Sequence, residues 1–357
     1  MKVIQVIPFL SMGGAEIMCE NLVYELKRQG HEVMIVSLYD KKSPVTERIE
    51  KAGIDIRYLG KKIGFDFSMF GKLKRLFRAE RPDVIHTHLY VTKYVFPVAA
   101  QMRIKTVHTL HSVAKEENGW LTRKLNNFFY RNRFVVPVSL SQRVQDTIVE
   151  EYRLKRRLIP VIFNGIDLNK CQIKHDYSND KNFKILHIGS FQDVKNHKGL
   201  LEAFSIFNKK HPSSHLYLIG YGTLQEAMEL LANQLEIESS VTFLGMQSNV
   251  HKYISAMDML VLPSKYEGMP MTLIEAMGSG MPIVATRVGG IPDMLDDDSA
   301  ILIPVETLAI AEAFEKYYLS EDLRKLHGMA ALKRATRFSV ETMASNYLRV
   351  YVGGGNK

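Results

Sequence analysis

The 357-residue sequence predicts an α/β protein of two domains, each a parallel β-sheet covered by helices, with the two sheets facing a central cleft. Three observations carry this. The chain is about twice the length of a typical domain. Apolar runs of strand length alternate with helical patterns from one end to the other, the rhythm of a parallel sheet with both faces covered. That rhythm pauses once, at the polar, turn-rich KHDYSNDKN (174–182), and then restarts.

Taken in order, Val3–Ile7 reads as a strand, Ala15–Gln29 as a helix closed by Gly30, and Glu32–Leu38 as the next strand. Val84–His86, Lys105–Thr109, Phe134–Val138 and Leu158–Ile162 continue the first domain. In the second, Phe183–Ile188, Leu216–Ile219, Val241–Phe243, Met259–Leu262 and Ile283–Thr286 are strands, with helical patterns between them. The expected division is 1–170 and 171–337, followed by a last helix and tail over 338–357. In open α/β sheets ligands sit at the carboxyl ends of the strands, so the loops after strands are where function is expected.

Composition narrows the class. Two cysteines, Cys19 and Cys171, are too few for a disulfide framework and lack the spacing of a zinc site, which favours a reducing cytosol. No apolar run reaches the ~18 residues of a membrane-spanning helix. The start, MKVIQVIPFLSMGGAE, has the charge and apolar run of a signal peptide, but the run is short and broken by Gln5, so a first strand is the better reading. The net charge of +9 is lopsided: residues 1–170 hold 29 Lys+Arg against 17 Asp+Glu, and 171–357 hold 18 against 21. The halves are expected to do different work.

The most informative stretch is PSKYEGMPMTLIEAMGSG (263–280), between two strands. Pro270 suits the first turn of a helix and Gly278 and Gly280 its end, giving a helix of about 270–277. Amides of Met269, Met271 and Thr272 at its positive end are a ready phosphate site. Glu267 and Glu275 cannot bind phosphate, but an ionised carboxylate accepts two hydrogen bonds, and vicinal hydroxyls of ribose or sugar are natural partners. Phosphate with polyols on either side describes a nucleotide sugar. The plainer alternative makes Glu267 a surface loop residue and Glu275 a solvated helix residue.

EGMPMTLIE (267–275) resembles the Glu–seven residues–Glu motif of the retaining nucleotide-sugar glycosyltransferases of family 4, which have the GT-B fold. Further signatures follow in the family's order: GGAE (13–16), DVIHTH (83–88), TLHS (109–112), VPVS (136–139), NGID (164–167), IGSFQDVKNHKGLLEAF (188–204), LIGYG (218–222), VTFLGMQSNVHKYISAMDMLVLPSKYEG (241–268) and PIVATRVGGIPDML (282–295). The form of the motif is similar to that in enzymes of bacterial capsule, exopolysaccharide and lipopolysaccharide assembly. The resemblance implies that Glu275 binds the ribose and that Glu267 sits beside the donor sugar. It gives the diphosphate to the backbone of Gly268, Met269, Pro270, Met271 and Thr272, with Lys195 as its cation. Gly13 and Gly14 would approach the same phosphates, and His111 the outer hydroxyls of the donor sugar. One departure stands out: Ser190 occupies the position of the family's usual Arg, so the Arg–Lys clamp is half missing unless Arg287 or Lys198 supplies the charge. Resemblance also implies retention of configuration without a metal, no cofactor, and a last helix, Phe338–Tyr351, crossing back onto the first domain.

The expected reaction is sugar transfer from a nucleoside diphosphate donor, UDP favoured, to a glycan or lipid-linked saccharide in bacterial surface polysaccharide synthesis. A nucleotide-sugar 2-epimerase of the same fold, or a non-catalytic sugar-nucleotide binder, are the alternatives. His86, His88, His108 and His111 lack a carboxylate in ligand-like spacing, and the Asp-x-Asp of Asp296–Asp298 reads as a solvated turn, so no metal is assigned. GYGTLQ (220–225) ends in Gln225 and fails the dinucleotide pattern. Two basic stretches, 72–81 and 120–133, interleave Lys and Arg with Leu, Phe or Trp. They read either as helices docking on an anionic membrane surface or as solvated cations over a packed apolar face. No nucleic-acid motif is present. The expected location is cytoplasmic, with peripheral attachment to the inner face of the cell membrane.

Overall fold

The computed structural model describes residues 1–178, 182–247 and 249–353. Residues 179–181 of the polar stretch, Ser248 and residues 354–357 of the tail lie outside the described residues. The chain forms two compact units, Met1–Ile166 with the C-terminal segment from Ser339, and Asp167–Phe338.

The first unit is built on β1 (Lys2–Ile7), β2 (Glu32–Ser37), β3 (Asp55–Tyr58), β4 (Val84–His88), β5 (Lys105–Leu110) and β6 (Val135–Ser139). Among the described residues these form one parallel sheet in the order β3-β2-β1-β4-β5-β6. The second unit repeats the plan with β7 (Lys184–Ile188), β8 (His215–Ile219), β9 (Val241–Gly245), β10 (Met259–Leu262), β11 (Ile283–Thr286) and β12 (Ile301–Ile303). Their order is β12-β11-β10-β7-β8-β9, which is the first sheet's order read from the other edge. Both are the 3-2-1-4-5-6 order of a Rossmann-like fold, and each has a topological switch point between its first and fourth strands. Loops leaving β1 and β4, and those leaving β7 and β10, are therefore the ones where a ligand is expected.

Central strands are apolar because helices cover both faces: β10 (MLVL) and β11 (IVAT) are buried at every position. In β1 the polar Gln5 is fully buried within an otherwise apolar run after Lys2. Beneath helix His197–Lys210, Leu200, Leu201, Phe204 and Phe207 join Leu216, Val261 and Phe314 in the core of the second unit. The last helix, Val340–Val352, buries Val340, Met343, Ala344, Tyr347, Val350 and Tyr351, the recurring stripe of an amphipathic helix. That stripe packs on Val3, Val84, Val107 and Val138 of the first sheet. Ser339 caps the helix through the Thr342 amide, and the Val340 amide donates to the Ile166 carbonyl at 2.8 Å.

Two readings of the sequence change here. Leu158–Ile162 is not a strand. It begins in a 3-10 turn, Arg156–Leu158, and touches the sheet through a single bridge, Ser139 to Val161. Pro160 has no N–H to extend a ladder, and the Gln145 side chain takes the Ile159 carbonyl at 2.6 Å. The edge strand β3, short and alternately exposed, was not singled out by its sequence DIRY.

Candidate functional site

At the switch point of the second unit, β7 runs into a 3-10 turn, Asp193–Lys195, and then helix His197–Lys210. After β10 comes the 263–270 loop and helix Met271–Gly278. Three contacts tie the turn to the loop: the Lys265 amide donates to the Val194 carbonyl at 2.8 Å, Asn196 Nδ2 to the Pro263 carbonyl at 3.1 Å, and Lys265 Nζ pairs with Asp193 at 2.7 Å. Asn196 holds a left-handed conformation (φ 56°) to begin the helix, one of the few side chains that tolerates it.

These ties bring Lys195 Nζ to 2.7 Å from Glu267 Oε1. Ser264 Oγ donates to the same oxygen at 2.6 Å. The carboxylate is buried and Lys195 is about one-fifth exposed, so the pair sits at the edge of the protein interior. Gly289 packs on the back of the loop. A Cβ there would lie 1.6 Å from the Glu267 carbonyl oxygen, which also accepts from the Gly290 amide at 3.0 Å, and Gly289 has φ +54°. Only glycine meets both demands.

Helix Met271–Gly278 starts one residue later than its sequence suggests, with Pro270 as N-cap and no side chain capping it. Its mouth presents peptide N–H groups at the positive end of the dipole. Gly268 and Thr272 are half-buried, Met269, Pro270 and Met271 buried. Glu275 is half-buried, and burial pushes its carboxyl up to about 7. Ser190 follows β7, half-buried, with its carbonyl taken by the Gln192 amide at 2.8 Å. Neither stand-in for the missing Arg is idle: Arg287 pairs with Asp297 and Lys198 with Glu202. Asp296 is bound to Arg334 and Ser299.

The first unit carries the remaining candidates on its own switch point. Gly13 and Gly14 lead into helix Gly14–Arg28, and the Glu16 carboxylate, held by Ser11 Oγ at 2.8 Å, would lie 2.5 Å from a Cβ at Gly13. An anion brought to these glycines meets that negative charge. His111, just past β5, is half-buried, its Nε2 3.0 Å from His88 Nδ1 and its amide donating to Glu117 Oε1 at 3.2 Å. Behind it lies a buried chain of neutral groups: His88 Nε2 to Gln5 Oε1 (2.8 Å), Gln5 Nε2 to Tyr351 Oη (3.4 Å), Tyr351 Oη to His86 Nδ1 (2.6 Å), His86 Nε2 to Thr109 Oγ1 (2.8 Å), and Thr109 Oγ1 to Tyr347 Oη (2.8 Å). Desolvation drives His86 and His88 well below the usual imidazole range and His111 down to about 3.

Sequence reasoning missed Ser264, Asn196 and Gly289 in the second unit and Gln5, Thr109, Tyr347 and Tyr351 in the first. Of these only Gln5 carried a signal, a polar residue inside an apolar strand. The basic helix Ser68–Glu80 turns Met69, Leu73 and Phe77 into the core. Helix Trp120–Arg131 leaves Trp120, Leu121 and Phe128 more than half exposed, as are Ile63, Phe65 and Phe67 in the loop before Ser68. Among the described residues no helix is long and apolar enough to cross a membrane.

Two family models match adjoining stretches of the chain: Glycosyltransferase Family 4 over residues 12–170 and Glycosyl transferases group 1 over 171–334. N-acetyl-alpha-D-glucosaminyl L-malate synthase of Bacillus anthracis is 27% identical across 96% of this chain and 94% of its own. An Escherichia coli UDP-Gal:alpha-D-GlcNAc-diphosphoundecaprenol alpha-1,3-galactosyltransferase is 26% identical over 63% of each. Among solved structures, HepE of Anabaena in complex with UDP and glucose superposes with a TM-score of 0.84 at 20% identity, covering 99% of this chain and 100% of that one. A Rickettsia africae glycosyltransferase reaches 0.84 at 19% identity, covering 98% and 97%. At that identity the structures speak for the fold, two Rossmann-like units of the GT-B class, while the paired family models speak for descent: the chain belongs to the family 4 glycosyltransferases.

Proposed function

We propose that this glycosyltransferase moves a sugar from a nucleoside diphosphate donor, UDP favoured, to a glycan or lipid-linked saccharide, with retention of configuration and without a metal. The observation that carries the reading is the Lys195–Glu267–Ser264 cluster beside the uncapped mouth of helix Met271–Gly278. A diphosphate at that mouth meets peptide N–H donors and the positive end of the helix. Lys195, moving from Glu267 to the departing phosphate, stabilises the charge that develops as the glycosidic bond breaks. Glu267, engaged through one oxygen by two donors, suits the role of an acceptor for donor-sugar hydroxyls better than that of a free nucleophile. The scheme is therefore a front-face displacement: the acceptor hydroxyl attacks the anomeric carbon, and the leaving diphosphate takes its proton. Glu275, ionised, accepts both ribose hydroxyls.

Uridine is favoured because HepE of Anabaena binds UDP and UDP-glucose, and a lipid-linked acceptor because the Escherichia coli relative uses a diphosphoundecaprenol saccharide by name. Surface polysaccharide synthesis fits the likeness to WaaG, a lipopolysaccharide glycosyltransferase, at a TM-score of 0.72. Peripheral docking on the anionic inner face of the cell membrane is supported by Phe67, Trp120 and Leu121, exposed in the segments that follow β3 and β5, with Lys124 Nζ 4.1 Å above the Trp120 ring.

The test is thermal melting with UDP, GDP, ADP and NAD, each at millimolar concentration. A ligand at ~100 times its Kd adds about 2.7 kcal/mol. A midpoint shift with UDP is the expected result. A shift with NAD alone, or with none of the four, overturns the reading.

A further inference from the structure

We propose that Gln5 and His88 are positioning residues that hold His111 in one neutral form, protonated at Nε2, with its Nδ1 lone pair presented to a ligand hydroxyl. The proposal rests on the reading that this unit meets a saccharide, and it adds which hydrogen-bond polarity the site imposes.

Gln5 is fully buried in β1 and directs Nε2 to Tyr351 Oη, so its Oε1 is the atom 2.8 Å from His88 Nε2. A carbonyl oxygen only accepts, so His88 Nε2 carries the hydrogen. A neutral imidazole has one N–H, so His88 Nδ1 is a lone pair. The group 3.0 Å from it, His111 Nε2, must then be the donor. His111 Nδ1 is left as an acceptor, and among the described residues no protein donor reaches it. Desolvation keeps the rings of His86, His88 and His111 neutral at neutral pH.

The orientation of the Gln5 amide decides every step, and the far end of the chain supports it. Tyr351 Oη lies 2.6 Å from His86 Nδ1, a short contact suited to the more acidic phenol giving its hydrogen to the ring nitrogen. Tyr351 then receives from Gln5 Nε2, while His86 Nε2 gives to Thr109 Oγ1 and Thr109 to Tyr347. Every group donates and accepts in one consistent direction. Reversing the amide reverses the whole chain and asks Tyr351 to donate to Gln5 across the longer 3.4 Å gap. His108 stands outside the chain, bonded to Thr87 Oγ1 at 2.8 Å, while Glu117 holds the backbone of His111.

The consequence is selective. His111 can take a hydroxyl hydrogen from the ligand but cannot give one, so a saccharide whose contacting hydroxyl is replaced by fluorine or an O-methyl group should lose this contact.

The test is long-range 1H–15N correlation on full-length, histidine-labelled protein without substrate, which reads each ring's tautomer. Expected are single Nε2–H forms for His88 and His111; a protonated Nδ1 or an even mixture at His111 overturns the proposal. Gln5→Leu should convert His111 to a mixture of tautomers and slow transfer about twofold, less than loss of the ring itself, at unchanged UDP affinity. An unchanged spectrum in Gln5→Leu removes Gln5 from the role, and if that variant does not fold, the wild-type spectrum alone decides. Because the spectrum needs no donor or acceptor, it stands or falls separately from the transfer reaction.

Discussion

The two units share a strand order and differ in what they bury at its switch point. Between β1 and β4 the first unit holds amide, imidazole and phenol groups joined in a neutral chain. Between β7 and β10 the second holds an ammonium–carboxylate pair next to a helix mouth with no side-chain cap. The distribution of surface charge runs the other way, since the strong positive excess lies in residues 1–170. Net charge describes what a surface attracts; the ionic chemistry of a pocket is set by a few side chains that the fold desolvates. Neutral groups suit the discrimination of uncharged hydroxyls, and a lysine at a helix terminus suits a departing diphosphate.

The contrast is broken most severely by removing the last helix. Val340, Met343, Tyr347, Val350 and Tyr351 are buried against the first sheet, and each contributes roughly 1.5–3 kcal/mol. Their sum is comparable to the 5–15 kcal/mol that holds a domain together. A chain ending at Phe338 should therefore lose hydrogen-exchange protection in β1 and β4 while β7 and β10 keep theirs. Undiminished protection in β1 would mean that the helix covers the sheet without supporting it.

Next in size are the site variants that test the division of labour. Lys195→Ala and Glu267→Ala should each slow transfer by about 10²–10³-fold, some 3–4 kcal/mol, and Lys195→Ala should also weaken UDP binding. His111→Ala should slow transfer by about 10-fold while leaving UDP affinity within about twofold. Equal weakening of UDP binding by His111→Ala and Lys195→Ala would erase the distinction between the units.

That distinction was only partly legible in the sequence. Met259–Leu262 and Ile283–Thr286 read correctly as strands because they are central, apolar and bounded by Pro and Gly. The spacing of Glu267 and Glu275 places both on one loop and helix. Nothing in the spacing brings Lys195 against Glu267, 72 residues away; the resemblance to a family pointed to both, and the Asn196 and Lys265 ties make the contact. The neutral chain was harder to see. Gln5 and Tyr351 are 346 residues apart, and a polar side chain that finds its partner only through tertiary packing has no local pattern. The run 158–162 shows the converse: it had strand composition, yet it meets the sheet at a single bridge.

Glu275 gives a smaller effect with a definite sign. Burial raises its carboxyl to about 7, above its unfolded value of about 4.3. The folded chain therefore keeps a proton that the unfolded chain releases. Its contribution to stability declines as pH climbs from about 4 through 7. Ribose hydroxyls favour the ionised form, so UDP affinity should rise about tenfold from pH 6 to 8 and then level off. Glu275→Gln should flatten that rise after correction for the titration of UDP itself, which is common to both proteins. An identical pH profile in the two would remove Glu275 from the nucleotide site.

The smallest expected effect compares one buried phenol in each unit. Tyr347 Oη meets Thr109 Oγ1 at 2.8 Å, and Thr109 keeps His86 as a partner when the phenol is removed. Tyr317 Oη donates to the Ile283 carbonyl at 3.1 Å and accepts from His327 Nδ1 at 2.9 Å, so its loss strands a buried ring N–H. Removing one partner of a pair costs about 1 kcal/mol when the other is still satisfied and up to ~3 kcal/mol when it is left bare. Tyr317→Phe should thus lower the midpoint of the second unit further than Tyr347→Phe lowers that of the first, the latter by about 2–4 °C. If Tyr347→Phe proves the more damaging, the neutral chain acts as one cooperative unit whose members cannot be removed singly, and Gln5 and His88 would share in that cooperativity.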